Sequence, residues 1–238
     1  MAYPIDKKYY TSRRPELMAQ LEADIKIWSP FVFSRCGEIQ GYKILLATRR
    51  RFKDLVPLIP YIGGEKNRFT KNLVESVRYL ALFQAMAEHG QTAEAAGRII
   101  YDAFLVKAKG PRPLIPPAER LTTAQLMERN KRDAELSQER HYPGDYVYSF
   151  ILGTGKRFDY GFDFTGCASQ KFYHTQGADE FLPFYCYLDF AAGQVRGFGF
   201  TRTLTLYEGR GKCNHRFKTG GVTKAGWPPP FVKRGRTK

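Results

Sequence analysis

Cysteine and histidine are scarce in this sequence, and long apolar runs are missing. Four cysteines in 238 residues, Cys36, Cys167, Cys186 and Cys213, are too few for a disulfide scaffold of this size, so they read as reduced thiols. There is no C-x-x-C and no histidine pair at i, i+4, so no zinc motif is encoded by spacing. Apolar runs such as Ile44–Ala47 and Tyr79–Phe83 fall far short of the ~20 residues that cross a bilayer. Met1–Arg14 is polar and basic with no apolar centre; a secretory leader is not expected, and a cytoplasmic chain is. Neither a P-loop nor G-x-S-x-G occurs. The glycine pairs Gly197/Gly199 and Gly209/Gly211 open no helical pattern, which excludes nucleotide fingerprints. No internal repeat is present.

Acid is also missing from one end. After Glu208 there is none, while Arg210, Lys212, Arg216, Lys218, Lys224, Lys233, Arg234, Arg236 and Lys238 follow. The net charge of +15 is therefore uneven: residues 1–208 carry 29 basic against 23 acidic side chains. The excess gathers in a C-terminal stretch whose last part, 227–238, reads as a solvated basic tail. Such a tail attracts polyanions without specificity, so nucleic acid is a secondary partner at most.

What is present suits a folded core. Apolar residues make up 43% and charged ones 26%, which excludes global disorder and allows one compact domain. The first 142 residues read mainly as helices: Pro15–Trp28, Lys43–Leu55 with the exposed basic run Arg49, Arg50 and Arg51, and Asn72–His89, apolar nearly all round and so buried. Gly90 ends that helix and Thr92 can cap the next, whose stripe is Ala96, Ile99, Ile100, Ala103 and Phe104. Gly110–Pro117 reads as a linker. Thr122 with Gln125 forms a capping box, and Leu121 with Leu126 a staple, for a surface helix to about Arg140.

After His141 the period changes to two. Tyr146–Leu152 is strand-like, and Phe158, Tyr160, Phe162 and Phe164 alternate with polar or small residues. Cys167–Gln176 and Asp179–Gln194 read as two short helices. A second hairpin joins Phe198–Tyr207 to Lys212–Phe217 through a turn at 208–211. The expected class is α+β: a helical N-terminal half (1–142) packed with a C-terminal region (143–226) of antiparallel sheet and two short helices, followed by the basic tail.

In that hairpin the expected pairs are Leu206 with Cys213, Leu204 with His215, and Arg202 with Phe217. Arg202 then projects into an apolar face. An unpaired buried guanidinium costs several kcal/mol, so Arg202 must meet a carboxylate, from a ligand or from Asp189 or Asp163. Cys186 and Asp189 share a helix face. Cys167 stands at a strand–helix junction, where a helix N-terminus favours thiolate. Buried inert thiols are the common alternative. A divalent-metal site assembled from Cys167, Cys186, Cys213 and His215 stays open. His89 and His141 lie at helix ends, and His174 is expected to be exposed.

These elements also resemble a known family. An aromatic strand leads to a cysteine (Phe162, Asp163, Phe164, Thr165, Gly166, Cys167). A helix with Cys-x-x-Asp follows Leu182 and Pro183 (Cys186 to Asp189), then an Arg-Thr-x-Thr strand (Arg202 to Thr205) and a close from Gly209 through Arg216. In this order they resemble the L-2-amino-thiazoline-4-carboxylic acid hydrolase family, with Gly90–Ala96 fitting more loosely. Asn214 and His215 stand where the family usually has Asp-Phe. The resemblance implies hydrolytic opening of a thiazoline ring that carries a carboxylate, from a cyclic amidine to an N-carbamoyl cysteine, taken as cleavage of a non-peptide C–N bond. It implies Cys167, Cys186, Asp189 and Cys213 as catalytic residues, with Cys167 or Cys186 attacking the ring carbon or holding a metal and Asp189 handling protons. Arg202, with His215 and Arg216, would bind the small carboxylate-bearing substrate. No membrane partner is expected, and the oligomeric state is left open. Two other readings compete: a module that binds or senses a small acid without transforming it, and a nucleic-acid-associated protein using Arg49–Arg51 and the tail.

Overall fold

A computed structural model describes residues 7–108 and 123–235. The expected linker 110–117, the capping box at Thr122, the Leu121 staple and the last three residues of the tail lie outside the described residues. The α+β class holds: nine helices and a four-stranded antiparallel sheet lie within the described residues. The chain divides into two units. The first comprises 1–103, 142–145 and 168–185; the second comprises 104–141, 146–167 and 186–238.

The first unit holds α1 (Lys7–Ser12), α2 (Arg14–Cys36), α3 (Glu38–Leu55), α4 (Thr70–Glu88), most of α5 (Ala93–Ala108), α7 (Ala168–Thr175) and the first turn of α8 (Leu182–Arg196). Helix α2 buries Leu17, Leu21, Ile25, Trp28 and Val32, one stripe at helical spacing. It runs through Pro30, beyond the end expected at Trp28, because Val32 is drawn into the core. The expected start of α3 at Lys43 moves to Glu38, directly after Gly37, whose φ of 75° turns the chain between the two helices. Helix α4 is buried almost all round, as its pattern requires, and Thr92 caps α5 by accepting the N–H of Ala95 at 3.1 Å. Several charged groups of this unit are paired. Buried Arg78 pairs with Asp24 (2.6 Å), Arg49 with Glu22 (2.7 Å), and Arg50 and Arg51 both with Glu88. The basic run is thus tied to carboxylates.

The second unit is built on the sheet, in the order β1 (Val147–Leu152), β2 (Tyr160–Gly166), β4 (Cys213–Lys218), β3 (Gly199–Thr201). Helix α6 (Ala124–Gln138), capped by Thr123, guards the β1 edge. There Ser137 Oγ donates to the Tyr148 carbonyl and accepts its N–H, both at 3.0 Å. In the register, Phe162 lies opposite His215, Phe164 opposite Cys213 and Phe200 opposite Phe217. Tyr148, Phe162, Phe164, Phe200, Cys213, His215 and Phe217 therefore share one face. Phe190 of α8 covers part of it, meeting Phe200 edge-on with centroids 4.9 Å apart.

The second hairpin departs from the expected pairing. Its register is displaced by two residues, and β3 ends at Thr201. The Asn214 side chain then replaces the ladder, accepting from Thr203 N (2.9 Å) and Leu204 N (2.6 Å). A displacement of two leaves every side chain on its own face, so the inward placement of Arg202 survives although its pairing with Phe217 does not. The C-terminal stretch also differs from a wholly solvated tail. Residues Pro230–Gly235 form α9, and Phe231 packs edge-on against Tyr187, with centroids 6.1 Å apart.

Candidate functional site

Helix α8 and the aromatic face of the sheet bring together most of the residues singled out above. Arg202 is the centre. Its Nη1 is 2.7 Å from Asp189 Oδ2, its Nη2 donates to the Cys186 carbonyl at 3.0 Å, and His215 Nε2 lies 3.5 Å from Nη1. Phe190 and Phe200 flank the guanidinium at 5.3 and 5.9 Å. The partner of Arg202 is thus internal, one of the two carboxylates weighed from sequence. The two ends of the pair differ in environment: the Arg202 side chain is 4% exposed, that of Asp189 45%. A buried cation holds a carboxylate at the protein surface, leaving Oδ1 outside that 2.7 Å contact.

The electrostatics follow from burial. Burial alone would lower the Arg202 pKa, but the Asp189 carboxylate, aided by Cys186 and Cys213, raises it above its ordinary value, so the cation is secure. Burial drives the Cys186 thiol well up, against the pull of Arg202; Cys167 and Cys213 are near enough to add to the rise. Cys213 is also raised, chiefly by burial, although its sulfur accepts the Leu206 N–H at 3.1 Å. Both remain thiols near neutral pH. Burial pulls His215 from 6.5 down to about 4, and the opposing effect of Asp189 does not rescue it. Its ring is therefore neutral. Phe164 and Phe200 hold it, with centroids 5.0 and 5.3 Å away.

Cys167 sits between the end of β2 and the start of α7, half-buried, and acts electrostatically on Cys186. Arg216 is not brought in. It lies on the opposite face of β4 from His215, paired with Asp163 at 2.7 Å and donating to the Phe162 carbonyl at 3.3 Å. Lys212 takes the other oxygen of Asp163 at 2.6 Å. His174 is exposed beside Asp179 at 2.9 Å. Among the described residues no group of three or more His, Cys, Asp or Glu is arranged to hold a metal ion.

One residue escaped the sequence reading. Arg196, in the last turn of α8, shares a helix face with Cys186 and Asp189 (steps of three and seven), and lies within electrostatic reach of Asp189 and Tyr160. The spacing Cys186, Asp189, Gly193, Arg196 is the signal that the sequence offers for it.

The sequence model described as L-2-amino-thiazoline-4-carboxylic acid hydrolase matches residues 71–217, a span that includes every residue of this cluster. No curated protein and no solved structure matches the chain.

Proposed function

The chain belongs to the L-2-amino-thiazoline-4-carboxylic acid hydrolase family, and from that premise we propose that its second unit hydrolyses a small cyclic amidine bearing a carboxylate. The observation that carries the reading is the Arg202–Asp189 pair: a guanidinium 4% exposed presenting a carboxylate 45% exposed. A 2-amino-thiazoline is a cyclic amidine whose protonated form offers two parallel N–H donors, the complement of a carboxylate. Asp189 receives that edge, and Arg202 serves as the positioning residue that fixes Asp189 rather than as the hand that holds the substrate.

Atom balance then decides which bond opens. Water adds to the ring carbon between nitrogen and sulfur while Asp189 takes its proton. An N-carbamoyl cysteine keeps both nitrogens on that carbon, so the ring C–S bond breaks, and the sulfur leaves with the proton as a thiol. This revises the expectation of C–N cleavage. Cys186 and Cys213, held protonated by burial, act as neutral walls and not as nucleophiles. His215, neutral and beside both members of the pair, accepts from the guanidinium without competing for its charge. Cys167 keeps the alternative role of attacking thiol.

The raised thiols also favour a second reading, in which the same cluster binds a small zwitterion without transforming it. The purified protein, incubated with 2-amino-thiazoline-4-carboxylate, separates the readings. The proposal expects one new free thiol per substrate consumed and no ammonia. Ammonia without thiol means exocyclic C–N cleavage and overturns the bond assignment. Substrate consumed with neither product means endocyclic C–N cleavage and also overturns the bond assignment, whereas saturable binding with no substrate consumed favours the binding module.

A further inference from the structure

With Arg202 committed to Asp189, the carboxylate of the substrate still needs a cation, and the cluster contains one other candidate. Arg196 stands in no ion pair among the described residues, and its Nε is buried with no hydrogen-bond partner. Phe198 lies under its guanidinium at 5.8 Å, a contact that satisfies none of its N–H groups. Burial pulls its pKa down, and no carboxylate close enough for an ion pair offsets this. A guanidinium nitrogen so desolvated and unpaired is costly, and the usual resolution is an anion. By contrast, the other cations of this unit close to the sheet have carboxylates: Arg202 has Asp189, Arg216 and Lys212 share Asp163, and Lys218 has Asp159 at 2.9 Å.

The placement fits one class of ligand. Asp189 and Arg196 are seven residues apart on α8, two turns along one face, or about 10 Å between their Cα atoms. The Arg196 guanidinium lies over Phe198 and within electrostatic reach of both Tyr160 and Asp189. A carboxylate half-open to solvent and an unpaired guanidinium, set along one helix face, match a small zwitterion with a cationic amidine at one end and a carboxylate at the other. We infer that Arg196 is the anion-recognition residue of this site, receiving the ligand carboxylate while Asp189 receives the amidinium. The inference rests on the reading of the site given above and adds the residue that sets specificity for an acid over its neutral analogue.

The test uses the full chain with Arg196→Gln and Arg196→Lys, whose folding is checked by thermal unfolding. Turnover of 2-amino-thiazoline-4-carboxylate is compared with that of 2-amino-thiazoline, which lacks the carboxylate. The charged hydrogen bonds lost correspond to a tenfold to hundredfold rise in KM for the acid in Arg196→Gln. Little change is expected in kcat or in KM for the neutral analogue, and Arg196→Lys should recover part of the loss. The probe 2-oxothiazolidine-4-carboxylate, which carries the same carboxylate but no amidine, reads the same subsite when titrated by calorimetry, with its integrity checked afterwards by thiol assay. Its binding should weaken at least tenfold in Arg196→Gln. If that variant binds the probe within twofold of wild type, or if wild type does not bind it, the inference is overturned. Binding that depends on Arg196 in a protein showing no turnover upholds the anion site and defeats the hydrolase reading alone.

Discussion

Replacing His215 by phenylalanine tests the electrostatic description of the cluster through stability alone. In the folded protein burial holds His215 at about 4, against 6.5 when free. A group that binds its proton less readily when folded makes stability fall as acid is added. The contribution is complete above 6.5 and is lost as the pH drops toward 4, because the unfolded chain takes up the proton first. The full difference is about 3 kcal/mol, of which about 2 kcal/mol should appear between pH 7 and pH 4.5. Phenylalanine has similar volume and suits the surrounding rings of Phe164 and Phe200. The lost contact to Arg202, at 3.5 Å, is weak. Urea unfolding followed by circular dichroism at the two pH values, in wild type and His215→Phe, gives four free energies. Wild type should lose about 2 kcal/mol more than the variant over that interval. Asp159 and Asp163, held below their ordinary values by Lys218 and by Lys212 with Arg216 despite burial, lose their contributions at lower pH and in both proteins alike. Equal losses within about 0.5 kcal/mol would refute a buried neutral imidazole here.

The thiols and the Asn214 clamp give two further expectations. In the native protein at pH 7.5, Cys186 and Cys213 should resist iodoacetamide and become alkylated only on unfolding; rapid native labelling of either, read by mass spectrometry, contradicts their raised pKa. Asn214→Ala leaves the N–H groups of Thr203 and Leu204 without their acceptor, at a cost of about 1–2 kcal/mol, and should speed hydrogen exchange at both amides. Asn214→Asp, which keeps the oxygen, should restore the protection; unchanged exchange in Asn214→Ala would show that another acceptor holds this segment.

The sequence exposed faces better than partners. The helical stripes of α2 and α5, the buried α4 and the alternating strands were legible because burial imposes a period that survives without knowledge of neighbours. The inward face of Arg202 was legible for the same reason. Its register was not, since a slide of two residues preserves every face, and what stops β3 is a side chain, Asn214, with no periodic signature. Strand parity sets Asp163 on the other face of β2, with Arg216, but no strand period could place Asp189, which reaches Arg202 from helix α8. Arg216, next to His215 in sequence, lies on the other face of β4 because successive strand residues point apart. Arg196 was missed because an unpaired charge can be recognised only once the pairs around it are known.

The central claim is that Asp189, fixed by Arg202 and open to solvent, contacts the substrate and moves its proton. The most direct measurement is thiol release from 2-amino-thiazoline-4-carboxylate by wild type and Asp189→Asn, with folding of the variant verified by circular dichroism. Removing a general base costs about 100-fold or more in kcat, and that is the loss predicted. A folded Asp189→Asn protein that turns over within threefold of wild type would contradict the claim.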